Sequence, residues 1–338
     1  MMNIAVIGLG KMGISHLSIL NALPDVKVSA IAETNRFVTR VLEKYTGIKA
    51  YSDYRKMLDR EALDAVVICL PNSLHYQACI DSIEHKVSFF VEKPFTLDPN
   101  QSKEIIDKSR TNNLLGMVGY VNRYIKIFQI IKEMLESDLI GEVYDYKASM
   151  LGAVVHAGSK ETWRNSVSEG GGCLFDYGSH CIDLAIYLFG EIDKVLSSEL
   201  KMLFSKKCED IVKAVVSHKS GVTGSIFVNW CDESQRKAYN EIEIFGKKGK
   251  IIANKQDLKV FLLNRSEIFG LESGWNSKYV TNYIDNVPFY LRGEEFTKEL
   301  MDFISSINEA KKPLSSIEDA YLTDKTIKML RDKTFNGN

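Results

Sequence analysis

The sequence predicts two successive domains: an α/β Rossmann domain, which is a doubly wound parallel sheet, over residues 1–121, and an α+β domain with a large open, mainly antiparallel sheet over residues 122–338. The chain has 338 residues, which is more than one hydrophobic core usually serves. In the first part, short apolar runs alternate with helix-length segments, as in a parallel sheet. Later strand-like runs are separated by short glycine-containing connections, which indicate antiparallel hairpins.

Charge and composition exclude several classes of function. The 43 basic and 44 acidic residues leave a net charge of −1, so nothing favours a nucleic acid or a membrane surface as a partner. No stretch approaches the ~18 apolar residues of a membrane span, and the first strand begins at Asn3, which leaves no room for a signal peptide. We therefore expect a cytoplasmic protein. The six cysteines form no C-x-x-C pair, and we expect reduced, buried thiols and no metal.

The first predicted strand and helix frame a glycine loop. Ile4–Ile7 is a continuous apolar run, typical of a strand buried on both faces. Gly8, Gly10 and Gly13 follow at G-x-G-x-x-G spacing, and Ile14–Leu20 is compatible with a helix. In such a loop the glycines permit a tight turn, the approach of a pyrophosphate to the backbone, and close packing of helix and strand. The N–H groups that begin the helix then bind the phosphate charge.

A second strand, Val26–Ala32, places an acidic residue where a dinucleotide ribose needs one. Glu33 follows it, about twenty residues after Gly13. Strand, glycine loop, helix, strand and acid in this order predict a dinucleotide-binding unit. Glu33 favours NAD, because its charge repels the 2′-phosphate of NADP. Arg36 could pair with that phosphate, which leaves NADP open.

The remaining elements of the first domain alternate between helix and strand. We predict that Asn72 or Ser73 caps one helix and that Asp98 caps the next. The alternation predicts right-handed crossovers, and the domain boundary falls near Tyr120. The predicted helices are 35–45, 53–59, one that runs to about 85, and 99–112, and the predicted strands are 64–70, 87–91 and 114–118.

The second domain has the pattern of an antiparallel sheet with few helices. Its first strand, 142–150, shows partial two-residue alternation, and Gly221 and Gly249 mark hairpins. The stretch 265–288 is predicted to be irregular. One face of the sheet is either solvated or covered by another copy of the chain. Further predicted strands are 194–204, 211–217, 224–230, 241–245, 250–253 and 258–263, and the predicted helices are 123–136, 174–188, 293–309 and 317–331.

The carboxyl ends of the parallel strands gather the first group of candidate residues. Ligands of open α/β sheets bind at these ends. The glycine loop, Glu33, Pro71-Asn72 and Glu92-Lys93-Pro94 all follow predicted strands. Lys93 would therefore point into the same crevice as the nicotinamide, although a lysine at a strand end is more often solvated.

Asp176 and His180 form the second candidate group. They are four residues apart, which places both on one face of the predicted helix and in its first turns. The positive end of the helix dipole favours a carboxylate and a neutral imidazole, and a neutral imidazole near a carboxylate is a competent general base. The preceding Gly170–Gly172 would let a polar ligand approach the backbone. Alternatively it is a flexible linker, and His180 is a buried structural histidine.

Aromatic and basic side chains form the third group. Trp163 and Arg164 precede the glycine run, and Trp275, Tyr279 and Tyr283 lie in the irregular stretch. Flat aromatic rings against a sugar, and arginine against a phosphate or carboxylate, would suit a carbohydrate ligand. The same residue types occur at subunit interfaces, so the sequence leaves both interpretations open.

Several motifs occur in one order over essentially the whole chain. They are Gly8-Leu-Gly-Lys-Met-Gly13, Pro71-Asn-Ser-Leu-His75, Glu92-Lys93-Pro94, Gly119-Tyr-Val-Asn-Arg123 and Gly170-Gly-Gly-x-x-x-Asp176-x-x-x-His180. The set resembles the glucose–fructose oxidoreductase / inositol dehydrogenase (Gfo/Idh/MocA) family. Glu-Lys-Pro followed by Asp-x-x-x-His is the specific part of the resemblance.

The resemblance implies hydride transfer between NAD, or NADP, and a hydroxyl of a sugar or cyclitol. It implies that Lys93 orients and polarises the reacting oxygen, that His180 moves the proton, and that Asp176 binds a substrate hydroxyl or supports His180. The Lys93–Pro94 peptide matches a site that is often cis in the family. The C-terminal sheet is expected to form a homodimer or homotetramer.

These inferences define two sets of candidate residues besides the catalytic Lys93, Asp176 and His180. The candidate cofactor-binding residues are Gly8, Leu9, Gly10, Lys11, Met12, Gly13, Glu33, Arg36, Leu70, Pro71, Asn72, Leu74, His75, Glu92 and Lys93. The candidate substrate-binding residues are Lys93, Asn122, Arg123, Trp163, Arg164, Asp176, His180 and Tyr283.

Other functions stay open at this point. A non-catalytic NAD-binding regulator would need only the glycines and Glu33, so the presence of the catalytic set argues against it. An NAD-assisted glycosidase would release a leaving group without net reduction of the cofactor. Arg164 and Arg292 suggest a sugar phosphate or nucleotide sugar as the substrate, because an anionic tail makes cationic, bidentate partners useful.

Overall fold

The computed structural model describes residues 1–158, 163–283 and 286–335. The strands are Met2–Ile7 (β1), Val26–Ala32 (β2), Lys49–Tyr51 (β3), Ala65–Ile68 (β4), Ser88–Val91 (β5), Gly116–Val118 (β6), Val143–Leu151 (β7), Ile192–Lys201 (β8), Ile211–His218 (β9), Thr223–Asn229 (β10), Tyr239–Gly246 (β11), Gly249–Asn254 (β12), Asp257–Leu262 (β13) and Gly274–Tyr279 (β14). The α-helices are Lys11–Ala22 (α1), Arg36–Thr46 (α2), Tyr54–Arg60 (α3), His75–Glu84 (α4), Pro99–Thr111 (α5), Lys126–Glu136 (α6), Ser179–Phe189 (α7), Glu294–Glu309 (α8) and Ile317–Phe335 (α9).

These elements form two compact units. The first comprises Met1–Val121 and Val287–Tyr321, and the second comprises the described residues of Asn122–Asn286 and Leu322–Asn338. The domain boundary predicted from the sequence falls after residue 121, with all later residues in the second domain. In the structure, α8 and the segment before it belong to the first unit.

The first unit contains a parallel sheet with the strand order β3-β2-β1-β4-β5-β6, and the predicted doubly wound fold is confirmed. Residues 4–7 of β1 are 1% exposed or less, as expected for a sheet that is covered on both faces. The strand order reverses between β1 and β4, and α/β sheets bind their ligands at the carboxyl edge near such a point. The glycine loop, Glu33, Leu70 and Lys93 follow strands that end at this edge.

The N-cap residues predicted for helices of the first unit agree with the structure in one case and disagree in the other. Asn35 at the start of α2 and Asp98 at the start of α5 each accept a backbone N–H two residues further on, so the predicted cap at Asp98 is confirmed. The predicted cap at Asn72 or Ser73 is wrong, because both residues lie within a 3₁₀ turn and α4 begins only after it.

The second unit contains a sheet with the strand order β14-β13-β12-β11-β7-β10-β9-β8. Among the described strands of this sheet, only β7 and β10 pair in parallel, and the other neighbours are antiparallel. Buried and less buried residues alternate along β9, β10 and β11, so one face is packed and the other is open. The predicted open, mainly antiparallel sheet is confirmed, as are the hairpins at Gly221 and Gly249.

Three features of the fold differ from the sequence expectation. β3 has three residues, all of them at least partly exposed, so no buried run marks it in the sequence. β14 lies inside the stretch 265–288 that the sequence predicts to be irregular. It is an edge strand whose residues are all at least partly exposed, so no buried alternation marks it. The predicted helix 174–188 is divided into a π-helical turn, Leu174–Gly178, and α7. Within the described ranges, no helix is long and apolar enough to cross a membrane.

Candidate cofactor and catalytic site

The glycine loop after β1 forms an open cradle at the start of α1. A Cβ added to Gly13 would lie 1.8 Å from the Gly8 carbonyl oxygen, so glycine is required for this approach of helix and loop. At Gly10, no described atom beyond its chain neighbours lies within 4 Å of an added Cβ. Gly10 is also the N-cap of α1 and provides no side-chain cap. The backbone N–H groups at this end of α1 therefore suit a pyrophosphate.

The Glu33 carboxylate lies beside this loop and binds its backbone. Its Oε2 accepts the backbone N–H of Leu9, and its Oε1 accepts that of Asn35, both at 2.8 Å. Burial alone would raise the pKa of Glu33, but the backbone N–H groups outweigh burial, and the pKa lies below its ordinary value. The ionised carboxylate stands at the end of β2, where a dinucleotide presents its ribose. Arg36 is exposed at the first position of α2.

The other predicted cofactor residues differ in accessibility. Lys11 is exposed and Met12 is partly exposed, whereas the Leu9 side chain is buried. In the segment after β4, Pro71 and Leu74 are exposed, Leu70 is partly exposed and Asn72 is buried.

His75 connects the segments that follow β4 and β5. Its ring is fully buried, with Nδ1 2.8 Å from the Pro94 carbonyl oxygen and Nε2 2.9 Å from the Leu70 carbonyl oxygen. Burial lowers the pKa of His75, although these carbonyl groups oppose the shift. The structure corrects the expectation that His75 lines the cofactor, because the ring is enclosed and both nitrogens face backbone oxygens. His75 positions the two segments instead.

Lys93 occupies a corner at the end of β5. The Lys93–Pro94 peptide is cis, as the family resemblance implies, and Lys93 is partly exposed. The Glu92 carboxylate lies 2.7 Å from Nε2 of His16, a fully buried residue of α1, and the Glu92 side chain is only 14% exposed. The structure thus gives the Glu92 carboxylate an internal partner.

The glycine run in the second unit is packed against protein atoms. A Cβ at Gly171 would lie 2.2 Å from the Arg164 carbonyl oxygen, and a Cβ at Gly172 would lie 2.2 Å from Oε1 of Glu209. Gly172 also has a positive φ of 104°. Glu209 Oε1 in turn accepts the backbone N–H of Leu174 at 3.1 Å. The glycines admit the protein's own groups here, so the structure supports neither a flexible linker nor ligand contact at these two positions.

Asp176 and His180 stand on two different helical segments. Asp176 lies in the π-helical turn and His180 is the second residue of α7, and both are partly exposed. The Arg164 Nε lies 3.7 Å from Asp176 Oδ2. Burial raises the pKa of Tyr177, the neighbour of Asp176, to about 12, so its hydroxyl stays protonated at neutral pH. Asp176 and His180 are thus both partly accessible, with an arginine beside the Asp176 carboxylate.

Two predicted substrate residues are buried. Asn122 and Arg123 are 2% and 3% exposed. The Arg123 guanidinium binds the Asp183 carboxylate through Nε at 3.0 Å and Nη2 at 2.7 Å, and its Cζ lies 5.4 Å from the centre of the Tyr187 ring. The expectation that Arg123 binds substrate is therefore wrong. Its guanidinium forms a buried ion pair with Asp183 and so binds to α7.

The predicted aromatic residues are distributed over several elements. Trp275 and Tyr279 are exposed on the edge strand β14. Tyr283 is partly buried at the end of the 3₁₀ turn 280–283, and burial raises its pKa. The Trp163 backbone begins a 3₁₀ turn, and its side chain lies outside the described part of the structure.

Two supporting residues, His16 and Glu209, are not among the candidates predicted from the sequence. His16 could have been noticed in the sequence, because it is a histidine within a largely apolar helix, three positions after Gly13. Glu209 lies 35 residues from the backbone group that it binds, and no local pattern marks it. No group of three or more His, Cys, Asp or Glu side chains in the described residues could hold a metal ion.

The parallel sheet, the open glycine loop and the ionised Glu33 define a dinucleotide-binding protein. Family models agree with this class: residues 2–120 match the oxidoreductase family with an NAD-binding Rossmann fold, and residues 128–252 match the GFO/IDH/MocA C-terminal domain. The chain belongs to the Gfo/Idh/MocA family of oxidoreductases. It is an NAD-dependent oxidoreductase, as the sequence analysis predicts.

Named relatives and solved structures cover nearly the whole chain. The chain is 26% identical to myo-inositol 2-dehydrogenase of Thermotoga maritima, over 94% of this chain and 92% of the relative. It is 25% identical to the NAD(+) scyllo-inositol 2-dehydrogenase of Bacillus subtilis, over 94% and 89%. The structure of levoglucosan dehydrogenase in complex with NADH superposes with a TM-score of 0.90 over 99% of this chain and 97% of that one, at 23% identity.

Proposed function

We propose that this protein is an NAD-dependent dehydrogenase, or reductase in the reverse direction, that acts on a ring secondary alcohol of a neutral sugar or cyclitol. The observation that carries the proposal is the partly exposed Lys93, which follows β5 at the sheet edge that also holds the glycine loop and Glu33. The relatives named as inositol dehydrogenases support this substrate class.

The reaction assigns one task to each candidate catalytic residue. Bound NAD supplies the hydride acceptor. The Lys93 ammonium donates a hydrogen bond to the reacting oxygen and stabilises negative charge as it develops there. His180 removes the hydroxyl proton as general base. Asp176 accepts a hydrogen bond from a neighbouring hydroxyl of the substrate and so fixes which carbon faces the cofactor.

The ion pair of Arg164 supports a neutral substrate over an anionic one. Arg164 lies within ion-pair distance of Asp176, so part of its charge is already compensated within the chain. Arg292 belongs to the first unit, where its Nη1 donates to Ser15 Oγ at 2.8 Å and its Cζ lies 5.2 Å from the centre of the Phe296 ring. Both arginines thus have contacts within the chain, and those of Arg164 include a carboxylate.

The substrate class is tested with a panel of cyclitols, aldoses, sugar phosphates and nucleotide sugars, read by NADH absorbance and by product analysis. We expect NAD reduction with one or more neutral polyols. Preference for a phosphorylated or nucleotide sugar would restore the anionic alternative. Release of a leaving group without net NADH would indicate a glycosidase, and NAD binding without any turnover would indicate a regulator.

The catalytic assignment is tested at Lys93. Lys93→Ala should lower kcat by about 10²–10³-fold, as loss of a preorganised transition-state donor typically does. The NAD dissociation constant, measured by protein fluorescence, should change far less. Lys108→Ala is the matched control, since Lys108 lies on α5 and pairs with Glu104. An unchanged kcat in Lys93→Ala would contradict the assignment.

The open face of the second sheet is the proposed contact with another copy of the chain. Val215 and Phe227 are 38% and 36% exposed there, next to Lys213 and Ser225. Apolar side chains on an otherwise polar sheet face favour a homodimer or homotetramer. Phe227→Asp should therefore lower the mass measured by light scattering, whereas an exchange on α5 such as Lys103→Asp should not.

A further inference from the structure

A buried histidine and a largely buried glutamate meet next to Lys93. His16 lies on α1, and Glu92 immediately precedes Lys93. His16 Nε2 and Glu92 Oε1 are 2.7 Å apart, with side-chain exposures of 0% and 14%. A hydrogen bond to a carboxylate is stronger than one between neutral groups, and shielding from water strengthens it further.

Aromatic rings hold His16 in one orientation. Phe90 lies edge-on to the imidazole with ring centres 5.2 Å apart, and Phe296 lies edge-on at 6.3 Å. Phe90 packs in turn against Phe303, with ring centres 5.9 Å apart. Phe296 and Phe303 belong to α8, so the late segment of the first unit forms one wall around His16.

The hydrogen bond fixes the location of the Glu92 charge. Burial alone would raise the pKa of Glu92, but the hydrogen bond from His16 and the electrostatic interactions with His16, Lys93 and His75 together outweigh burial, and the pKa lies below its ordinary value. Nδ1 of His16 is buried and has no hydrogen-bond partner in the described residues, so the ring is held through Nε2 and its contact with Glu92. The other groups that interact electrostatically with Glu92 are Lys93, His75 and Cys69.

We propose that His16 is a positioning residue for Lys93: it binds the Glu92 carboxylate in the interior and thereby keeps that carboxylate from pairing with the Lys93 ammonium. Lys93 is the next residue in the chain and already interacts electrostatically with Glu92. Without His16, Glu92 would be a buried charge without this donor, and pairing with Lys93 would compensate it. The effect on turnover rests on the proposed role of Lys93 in the reaction.

The test compares three variants. His16→Leu removes the donor, His16→Gln keeps an N–H donor, and His16→Leu/Glu92→Gln also removes the carboxylate charge. We expect His16→Leu to lower kcat by about 10- to 100-fold, as misplacement of a catalytic group does, with a much smaller change in NAD affinity. His16→Gln should retain most of kcat, and the double variant should recover most of the loss. A purely structural role for His16 would give no recovery in the double variant.

A second measurement does not depend on turnover. The rate at which acetic anhydride labels the Lys93 amine, followed by peptide mass spectrometry, should fall in His16→Leu and return in the double variant. His218→Gln is the matched control. His218 is a buried histidine of the second unit that bonds to the Gly190 carbonyl oxygen and the Tyr146 hydroxyl, so its exchange should lower the melting temperature without altering Lys93 labelling.

The outcomes separate this inference from the proposed function. If the wild-type protein reduces NAD with a sugar but Lys93 labelling and kcat are unchanged in His16→Leu, the inference is overturned and the function stands. If no sugar is oxidised while labelling responds as expected, the proposed function fails and the pairing of Glu92 with Lys93 stands. Should His16→Leu not fold, His16→Asn replaces it, because the shorter amide does not reach Glu92.

Discussion

Two glycine-rich segments precede helices in this protein, and each is held by a distant glutamate. In the first unit, Glu33 accepts a backbone N–H of the glycine loop at 2.8 Å. In the second unit, Glu209 accepts a backbone N–H after the glycine run at 3.1 Å. The segments differ in what lies against their glycines: Gly10 faces open space, whereas Gly172 faces the carboxylate of Glu209. The first segment is a ligand cradle and the second is an internal support.

The two glutamates also differ in their titration. The pKa of Glu33 is lowered, because backbone N–H groups outweigh partial burial. The pKa of Glu209 is raised, because its burial outweighs the same kind of hydrogen bond. A carboxylate that accepts a backbone N–H near a helix start is therefore not by itself evidence of a ligand site. Accessible space beside the glycines distinguishes the two cases.

The largest effect is expected for the buried ion pair between Arg123 and Asp183. Asp183 lies on α7, the helix that follows the second glycine-rich segment. Arg123→Leu should destabilise the protein by about 3–5 kcal/mol, because it removes the arginine that is ion-paired with the buried Asp183 carboxylate. Arg123→Leu/Asp183→Leu should recover most of this loss in denaturant unfolding. A raised KM for the sugar with unchanged stability would instead return Arg123 to the substrate site.

Gly172→Ala tests whether the second glycine run is an internal support. The positive φ of Gly172 costs about 1–3 kcal/mol for alanine, and the displaced Glu209 carboxylate adds a further ~1–3 kcal/mol. Gly190→Ala is the matched control, since Gly190 has a φ of 85° and no contact within 4 Å of an added Cβ among the described atoms. Equal losses of stability in the two variants would mean that the contact with Glu209 adds nothing at Gly172, and the second glycine run would then not be an internal support.

Glu33→Gln tests the cradle itself. Loss of the charge should weaken NAD binding about tenfold, which is ~1.4 kcal/mol, and should shift preference towards NADP, because the 2′-phosphate is no longer repelled. Isothermal titration with both cofactors measures this change. Arg36→Ala in the same background should reduce the gained NADP affinity, and tighter NADP than NAD binding in the wild type would contradict the assignment.

The smallest effect concerns the pH dependence of the second segment. The pKa of Glu209 is higher in the folded chain than in the unfolded chain, so its favourable contribution is complete below the ordinary pKa of a glutamate and is lost as pH rises through the folded value. Glu209→Gln should therefore stabilise the protein at neutral pH and make little difference below about pH 4. Glu33 has a lowered pKa, so Glu33→Gln should show the opposite trend, with its loss of stability confined to neutral pH.

Agreement between sequence and structure is best where local chemistry decides the conformation. The buried run of β1, the spacing of Gly8 to Gly13 and the cap at Asp98 each act within a few residues, and all were predictable. β14 was not predictable, because an edge strand lacks the buried alternation that reveals a strand in a sequence.

The sequence by itself determined the Rossmann fold, the mainly antiparallel second sheet, the oxidoreductase family and the nicotinamide cofactor, because each depends on motifs and periodicities that a few neighbouring residues encode. The tertiary structure alone decided which polar residues are available for chemistry. Arg123 and His75 matched the motifs of a site, yet both are enclosed by partners many residues away. His16 and Glu209 gain their roles in the same way. Burial and hydrogen bonding are properties of the packed chain, so spacing in the sequence could nominate these side chains but not show whether they remain accessible to a ligand.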